Sequence, residues 1–195
     1  MDAQLLIAFV GFAVVTLFSP GPNNMMLMAS GANFGLRRTV PHLLGVALGF
    51  PLMVALMGLG IDRLFIRWPA LVPVMQVASF AYMVWLAWKI AHASAPKSAL
   101  ADARPMTFLQ AAAFQWVNPK AWAMGLGALS AYAAGLGGSL WVVMLFAVIG
   151  IGSAVVWTAM GQGLRQWLTN PVRLRAFNWT MAVALVLSML PVLFH

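Results

Sequence analysis

The most constraining feature of this sequence is a long uncharged stretch that is interrupted near its middle. No charged side chain occurs from Ala3 to Leu36, and the stretch is longer than the roughly 20 apolar residues that cross a bilayer as one helix. It contains the sequence Ser19-Pro20-Gly21-Pro22-Asn23-Asn24. Proline removes a helical hydrogen bond and clashes with the carbonyl four residues earlier. The stretch therefore predicts a first membrane span whose helix is broken inside.

The composition excludes a soluble domain. Hydrophobic residues make up 63% of the 195 residues and charged residues 7%, whereas a soluble domain carries about 25% charged residues. The apolar runs are continuous, which favours membrane helices over the alternating pattern of a β-barrel. The chain has no cysteine, which excludes disulfides, thiolate metal sites and cysteine nucleophiles. We predict an all-α, polytopic membrane protein with little mass outside the bilayer.

Six apolar segments predict six transmembrane helices. Span one is the interrupted stretch, and the other five are expected at 40–60, 69–90, 108–129, 140–160 and 177–194. A tight turn over 132–139, which contains three glycines, separates spans four and five.

The chain divides into two halves of three spans each. Residues 1–95 form the first three-helix repeat, 96–107 a cytoplasmic linker rich in alanine, serine and proline, and 108–195 the second repeat. Because each half holds an odd number of spans, the second half enters the membrane from the opposite side. The halves are then inverted repeats, an architecture of secondary transporters that bind substrate at broken helices near the midplane.

The positions of the cations predict the orientation. The net charge is +8, and most cations fall in the loops after spans one, three and five rather than after spans two and four. The first set is Arg37, Arg38, Lys89, Lys97, Arg104, Arg165, Arg173 and Arg175, and the second is Arg63 and Arg67. The positive-inside rule places the first set in the cytoplasm and both termini outside. Cations in short loops between apolar runs fit an anionic lipid surface and not a nucleic-acid partner.

A second interruption matches the first. Span four contains Asn118-Pro119-Lys120, and half the length of the chain separates Pro119 from Pro22. Backbone groups freed by such breaks must meet protein, water or a ligand, because lipid cannot pair them. Asn118 before Pro119 predicts a helix cap followed by a first turn, and Ser19 before Pro20 predicts the same. Each half-helix N-terminus carries about +0.5 charge and free N–H groups, which suit a carboxylate. The alternative is a pair of proline kinks that only shape packing.

Two further polar residues accompany the second interruption. Lys120 lies about 18 Å along a helix from Phe108 and is expected inside the membrane, where it could attract an anionic group or pair with a helix C-terminus. The alternative is that span four begins later and Lys120 lies at the cytoplasmic interface. Gln115, three residues before Asn118, lies on the same helix face and is a further candidate for the site.

Other motifs predict packing rather than chemistry. The pairs Gly31/Gly35 and Gly45/Gly49 allow close helix contacts within the chain. The histidines His42, His92 and His195 have no metal-ligand spacing, and the fourteen methionines are interpreted as adaptable packing. No metal or cofactor is expected. An enzyme would need a cluster of acids, histidines or an activated serine in the membrane, and the chain has no Glu and only three peripheral Asp.

These motifs together resemble the LysE/RhtB amino-acid exporters. The first-half signature is the run from Ser19 to Asn24 with the glycine pairs and Gly35-Leu36-Arg37, the third-span signature is 82–88, and the fourth-span motif is Asn118-Pro119-Lys120-Ala121. The resemblance covers essentially the whole chain. It implies a small bacterial inner-membrane protein that exports amino acids. It also implies a transport path lined by Pro20, Gly21, Pro22, Asn23, Asn118, Pro119 and Lys120. Asn24, the last residue of the first signature, is a further candidate for the site.

Within the family, the chain is most similar to the branch that exports neutral amino acids such as cysteine and O-acetylserine, with homoserine and threonine as the other candidates. Many relatives carry Asp where Asn23 stands, so this chain lacks an acid partner for the substrate amine there. The resemblance implies secondary active export by alternating access, driven by the proton gradient or the membrane potential, with no coupling residue identified. The alternative is a channel or a structural membrane subunit. The partners implied are a small amino acid and the lipid bilayer, and a homo-oligomer is left open.

Overall fold

The described residues of the chain are almost entirely helical. A computed structural model describes residues 2–61, 67–68, 70–92 and 104–188, and no strand occurs among them, which confirms the all-α prediction. The helices are α1 (Ala3–Phe18), α2 (Pro22–Phe34), α3 (Leu36–Leu56), α4 (Leu71–Ala91), α5 (Phe108–Phe114), α6 (Pro119–Leu136), α7 (Ser139–Leu164) and α8 (Pro171–Leu187). A π-helical turn, Met57–Ile61, follows α3. The 3₁₀ turns Gln115–Val117 and Trp167–Thr169 precede α6 and α8.

Local sequence signals fix several helix ends. Asp2 caps α1 by accepting a hydrogen bond from Gln4 N at 2.9 Å. Thr107 and Gln110 form a reciprocal capping box at the start of α5, with distances of 3.2 and 3.0 Å. The tight turn predicted over 132–139 is shorter than expected. The helix α6 continues to Leu136, and only Gly137 and Gly138 form the turn, with φ of 90° and 128° that favour glycine.

Four of the predicted spans have counterparts that are long and apolar enough to cross a membrane. Three are single helical stretches, Leu36–Gly60, Pro73–Ala91 and Ser139–Leu164. The fourth is the pair α1 and α2, which meets the same criterion as one unit bent by 52°. Within the described residues α6 and α8 do not meet it, so the full count of six spans stays a prediction.

Close helix contacts hold the halves together. A Cβ at Gly31 would collide with Thr158 O, and a Cβ at Gly161 would collide with Met28 O, so α2 and α7 touch backbone to backbone. The pair Gly45 and Gly49 places α3 in the same way against α5. In lipid, helix association depends on such van der Waals packing rather than on the hydrophobic effect. For Gly31, Gly45 and Gly49 the predicted role is the one observed, packing within one chain, whereas Gly35 joins α2 to α3 with φ of 81°.

The first and second halves interleave. Helix α7 of the second half packs against α1, α2, α3 and α6, and α3 of the first half packs against α5. Phe9, Phe50 and Phe146 join α1, α3 and α7, with ring centroids 5.1 and 4.9 Å apart. Most of the linker 96–107 lies outside the described residues, so the domain limits and the inverted relation stay predictions. The interleaving brings the two interruptions side by side.

Candidate functional site

The first interruption separates α1 from α2. Helix α1 ends at Phe18, and Ser19 is its C-cap, with Ser19 N donating to Val15 O at 3.0 Å and Ser19 Oγ to Thr16 O at 2.9 Å. The expectation that Ser19 begins a helix is therefore wrong. Pro20 and the extended Gly21 delay the restart until Pro22, while the N–H of Ser19 still completes the last turn of α1.

The second interruption lies between α5 and α6. The 3₁₀ turn Gln115–Val117 leads to Asn118, which is extended (φ −94°, ψ 105°), and Pro119 is the first residue of α6. The helix thus begins where the Asn-Pro pair predicts. The Asn118 side chain, however, makes no capping hydrogen bond.

Lys120 bridges the two interruptions. Its Nζ donates to Ser19 Oγ at 2.8 Å, to Ser19 O at 3.2 Å and to Pro20 O at 3.4 Å. Gly21 makes room for it, because a Cβ there would lie 2.9 Å from the lysine Nζ. Of the two roles left open for Lys120, pairing with a helix C-terminus is the one seen here. Its charge complements the negative end of the α1 dipole.

Two more side chains satisfy the carbonyls at the end of α1. Asn24 Nδ2 donates to Leu17 O at 2.7 Å and to Ser19 O at 2.9 Å. Ser153 Oγ, from α7, donates to Leu17 O at 2.7 Å. By contrast, the N-termini of α2 and α6 have no side-chain cap. Side chains therefore pair with the carbonyls at the negative end of α1, whereas no side chain caps the positive ends of α2 and α6.

A reciprocal amide pair also joins the interruptions. Asn23 Nδ2 donates to Gln115 Oε1 at 2.9 Å, and Gln115 Nε2 donates to Asn23 Oδ1 at 3.1 Å. Gln115 is fully buried, and its Nε2 also donates to Ala111 O at 2.9 Å. The sequence placed Gln115 on the face of the break, and the structure shows that Asn23 is its partner.

A small cavity of about 40 Å³ lies between the interruptions. Among the predicted site residues Gly21, Pro22, Asn23, Asn24, Asn118 and Lys120 line it, whereas Pro20, Gln115 and Pro119 do not. Since one water needs about 10–15 Å³, the space in this conformation fits only a few water-sized groups.

No group of three or more His, Asp or Glu side chains that could hold a metal occurs in the described part of the chain.

Asn118 carries the most unusual atom of the cavity. The residue is 1% exposed, and its Oδ1 has no hydrogen-bond partner among the described residues. Buried side-chain oxygens are paired in the large majority of cases, because an unpaired one costs about 1–3 kcal/mol. The free oxygen belongs to a residue that lines the cavity, as Lys120 does. The site therefore offers one unused acceptor to a hydrogen-bond donor.

Sequence reasoning missed most of the cavity lining that the helices contribute. These residues are Thr16 and Leu17 of α1, Val46, Ala47 and Phe50 of α3, Ala121 and Met124 of α6, and Gly150, Ser153 and Ala154 of α7. One signal was present in the sequence. Pro51 lies inside α3 and has no N–H to give to the carbonyl of Ala47, which lines the cavity. Gly150 left no comparable signal, because only the structure shows that a Cβ there would meet nothing within 4 Å.

Comparison with known proteins matches this arrangement to a transporter family. The family described as LysE type translocator matches residues 14–194. The chain belongs to the LysE translocator family. It is 38% identical over 166 residues to the cysteine/O-acetylserine efflux protein of Escherichia coli K12, which covers 83% of this chain and 84% of that protein. The protein of the same name from Shigella flexneri is also 38% identical over the same share of both chains. No solved structure matches.

This membership confirms the resemblance to the LysE/RhtB exporters and, through its relatives, to their cysteine branch. Its family consists of transporters, and together with the apolar helices it makes this LysE translocator a multi-pass protein of the inner membrane. The motifs at both interruptions fall inside the matched range.

Proposed function

We propose that this LysE translocator is a secondary active exporter of small neutral amino acids and that it binds them between the two helix interruptions. Cysteine and O-acetylserine are the favoured substrates, because relatives that are 38% identical over 166 residues are named for their efflux. The observation that carries the proposal is the buried, unpaired Oδ1 of Asn118, on a residue that lines the same cavity as Lys120. A zwitterion is a ligand that brings both a donor and an anion to such a site.

The amino group has two acceptors in the proposed complex. Asn118 Oδ1 is the first, since it has no partner among the described residues. The carbonyl of Ala47 is the second, because Pro51 cannot donate to it. No carboxylate is needed for this arrangement, which fits a chain that has Asn at position 23. A neutral acceptor set also favours small neutral amino acids over dibasic ones, because it supplies no counter-charge for a second cation.

The carboxylate meets the positive ends of α2 and α6. Neither end has a side-chain cap, and each contributes about +0.5 charge and free N–H groups. Lys120 adds a full positive charge at the start of α6, and its present partners are neutral oxygens. A carboxylate can therefore replace the carbonyl of Pro20, the longest of these contacts at 3.4 Å. This exchange would loosen the link between the two interruptions when substrate binds.

Alternating access follows from the same link. In the proposed mechanism the two inverted three-helix halves, with spans one and four broken, rock about the cavity while both termini stay outside. A gate of this kind must be held by contacts that can be exchanged. The contacts Lys120–Ser19 and Asn23–Gln115 join the interruptions and have this property.

Counterflow distinguishes this proposal from its rivals. The purified chain is placed in liposomes loaded with unlabelled L-cysteine, and uptake of labelled L-cysteine from outside is followed. A carrier gives saturable uptake that depends on internal cysteine. Uptake that rises linearly with concentration and ignores internal cysteine would indicate a channel, and no uptake of cysteine, O-acetylserine, homoserine or threonine would indicate a structural subunit.

The proposed orientation has its own test. The chain has no cysteine, so Arg104→Cys introduces the sole thiol. We expect this thiol to be shielded from an impermeant thiol reagent added outside whole cells and labelled in inside-out vesicles. Labelling from outside would mean that the predicted orientation is reversed, and it would not bear on the proposed binding site.

A further inference from the structure

Helix α3 contains a buried histidine that the proposed binding site does not use. His42 is 2% exposed, and neither of its ring nitrogens has a hydrogen-bond partner among the described residues. A neutral imidazole carries one N–H donor and one acceptor nitrogen, so both kinds of polar atom are buried unpaired. Unpaired buried groups are rare in native structures, and ionisable residues inside membrane helices mark functional positions.

The position of His42 links it to the cavity. Val46, one helical turn later on the same face of α3, lines the cavity. One turn in the other direction, the Thr39 hydroxyl donates to Gly35 O at 2.8 Å and lies 3.1 Å from Ser30 Oγ, so it is engaged elsewhere. Water that extends the cavity by about one helical turn, roughly 5.4 Å, would therefore be the first partner available to the ring.

The charged groups around His42 are cations only. The helices α2, α5 and α7 and the turns at 57–61 and 115–117, which pack against α3, contain no titratable side chain. The titratable residues on the remaining neighbours are Lys120 and Tyr132 on α6, Arg37 and Arg38 on α3 itself, Arg165 directly after α7, and Arg104, which lines a surface pocket together with Arg37, Arg38 and Pro41. Asp2, at the distant start of α1, is the one acidic residue that the structure describes. An imidazolium at this position would thus have to be stabilised by water.

Lys120 is less suited to exchange a proton. Its Nζ has three oxygens within 3.4 Å, and it already links the two interruptions. His42 makes no side-chain hydrogen bond among the described residues and does not link the interruptions. Histidine is also the side chain whose charge ordinarily changes between about pH 5 and 8.

We propose that His42 binds the proton that this LysE translocator exchanges for an exported amino acid. The inference rests on the proposed exporter function. With the cavity empty and hydrated, a proton adds to the lone pair of the free ring nitrogen, and it returns to water when the cavity opens to the other side. A bound amino acid displaces the water that the charged ring needs. Proton and substrate therefore exclude each other, which is the condition for exchange.

Two transport assays on one preparation test this inference. The full chain is reconstituted with labelled L-cysteine and a reductant, which is harmless to a protein without cysteine. The first assay measures cysteine exchange at equal pH, and the second measures accumulation into vesicles that are one pH unit more acidic inside. Such a gradient supports about tenfold accumulation in one-for-one exchange, since one pH unit is a factor of ten in proton activity.

The decisive variant is His42→Gln. We expect it to exchange cysteine within about twofold of the wild-type rate and to lose the gradient-driven accumulation. The matched control is His92→Gln, which changes an exposed histidine at the end of α4 whose Nδ1 lies 2.8 Å from Trp88 O. This control should retain both activities.

Each outcome decides between the two proposals. Accumulation by His42→Gln would overturn the proton site, as would loss of exchange and accumulation together in a variant with a normal unfolding temperature. Wild-type exchange without accumulation overturns the proton site alone, whereas absence of wild-type exchange overturns the exporter function and the proton site with it. If His42→Gln does not fold, the wild-type protein in weakly buffered detergent is mixed with cysteine at a series of starting pH values from about 4 to 7. Release of protons supports the site, and no release overturns it.

Discussion

Two segments of this LysE translocator share the same local structure and use it differently. Gln115–Val117 and Trp167–Thr169 are both 3₁₀ turns, and each is followed by an Asn at the N-cap and a Pro in the first helical turn. At the second segment Asn170 Oδ1 accepts from Val172 N at 2.8 Å and caps α8. At the first, Asn118 makes no such bond and its Oδ1 is buried without a partner among the described residues.

The difference teaches that an Asn-Pro pair defines where a helix begins but not what its first turn binds. Asn170 is exposed and supports only its own helix. Asn118 is buried between the interruptions, on a cavity that also receives Lys120. A helix start whose own cap is withheld has N–H groups to offer to something else.

The largest expected effect comes from replacing Asn118, and the same change at Asn170 serves as its control. Asn118→Ala should lower cysteine counterflow about 100-fold, since a hydrogen bond to a charged group contributes about 1.5–3 kcal/mol and each 1.4 kcal/mol is tenfold. Its unfolding temperature in detergent should stay near the wild-type value, because no capping bond is lost. Initial counterflow rates and thermal unfolding are measured on the same preparation.

Asn170→Ala is the matched control with the opposite outcome. It removes an Asn cap bond and should cost about 1 kcal/mol of stability. Counterflow should be unchanged once the amount of folded protein is equalised. If both variants lose stability and keep counterflow, the two Asn-Pro pairs have one role and the contrast between them fails.

The second effect tests the residue after each proline. Lys120 follows Pro119, and the exposed Val172 follows Pro171, so Lys120→Val gives α6 the Asn-Pro-Val start of α8. We expect the affinity for cysteine to fall about 30-fold, within the range of a lost charge-assisted hydrogen bond. The affinity for cysteinamide, which lacks a carboxylate, should fall about threefold, near the value of a neutral bond. Both are measured as inhibition of labelled cysteine counterflow. An equal loss for the two compounds would assign Lys120 to the end of α1 alone.

The sequence predicts the elements of this site better than their contacts. Continuous uncharged runs are sufficient for a helical membrane protein, and Pro20, Pro22 and Pro119 indicate both interruptions, because proline acts on the helix that contains it. The role of Ser19 was predicted wrongly, since a serine before a proline can end one helix as well as begin the next. The contact of Lys120 with Ser19 spans 101 residues and depends on how α1 and α6 pack. No local pattern reports that geometry, nor does one distinguish Asn118 from Asn170.

The third prediction concerns the residue that opens each 3₁₀ turn. Gln115 pairs with Asn23 across the interruptions, whereas Trp167, at the equivalent position before α8, is exposed. Asn23→Ala and Gln115→Ala should each lower counterflow about tenfold, because each leaves a partly buried amide without its partner. The double variant should be little worse than either single one, with a coupling of about 1 kcal/mol. Additive losses would show that the two amides act independently of their hydrogen bonds.

The smallest expected effect comes from Gly150 of α7, another residue that lines the cavity. Of the two Asn-Pro segments, only the one around Asn118 lines this cavity. Gly150 of α7 lines it too, and a Cβ at Gly150 would have no neighbouring atom within 4 Å. Gly150→Ala adds one methyl group to a space of about 40 Å³, so it should lower counterflow of O-acetylserine, the larger of the two proposed substrates, about threefold more than that of cysteine. Gly152→Ala is matched in helix, in residue type and in having nothing within 4 Å, but Gly152 is exposed and does not line the cavity. Since both changes should stabilise α7 by a similar amount, any difference between them reports the cavity and not the helix. Equal substrate ratios in the two variants would mean that the solute does not approach α7, and the site would then have to lie on the α3 side of Asn118.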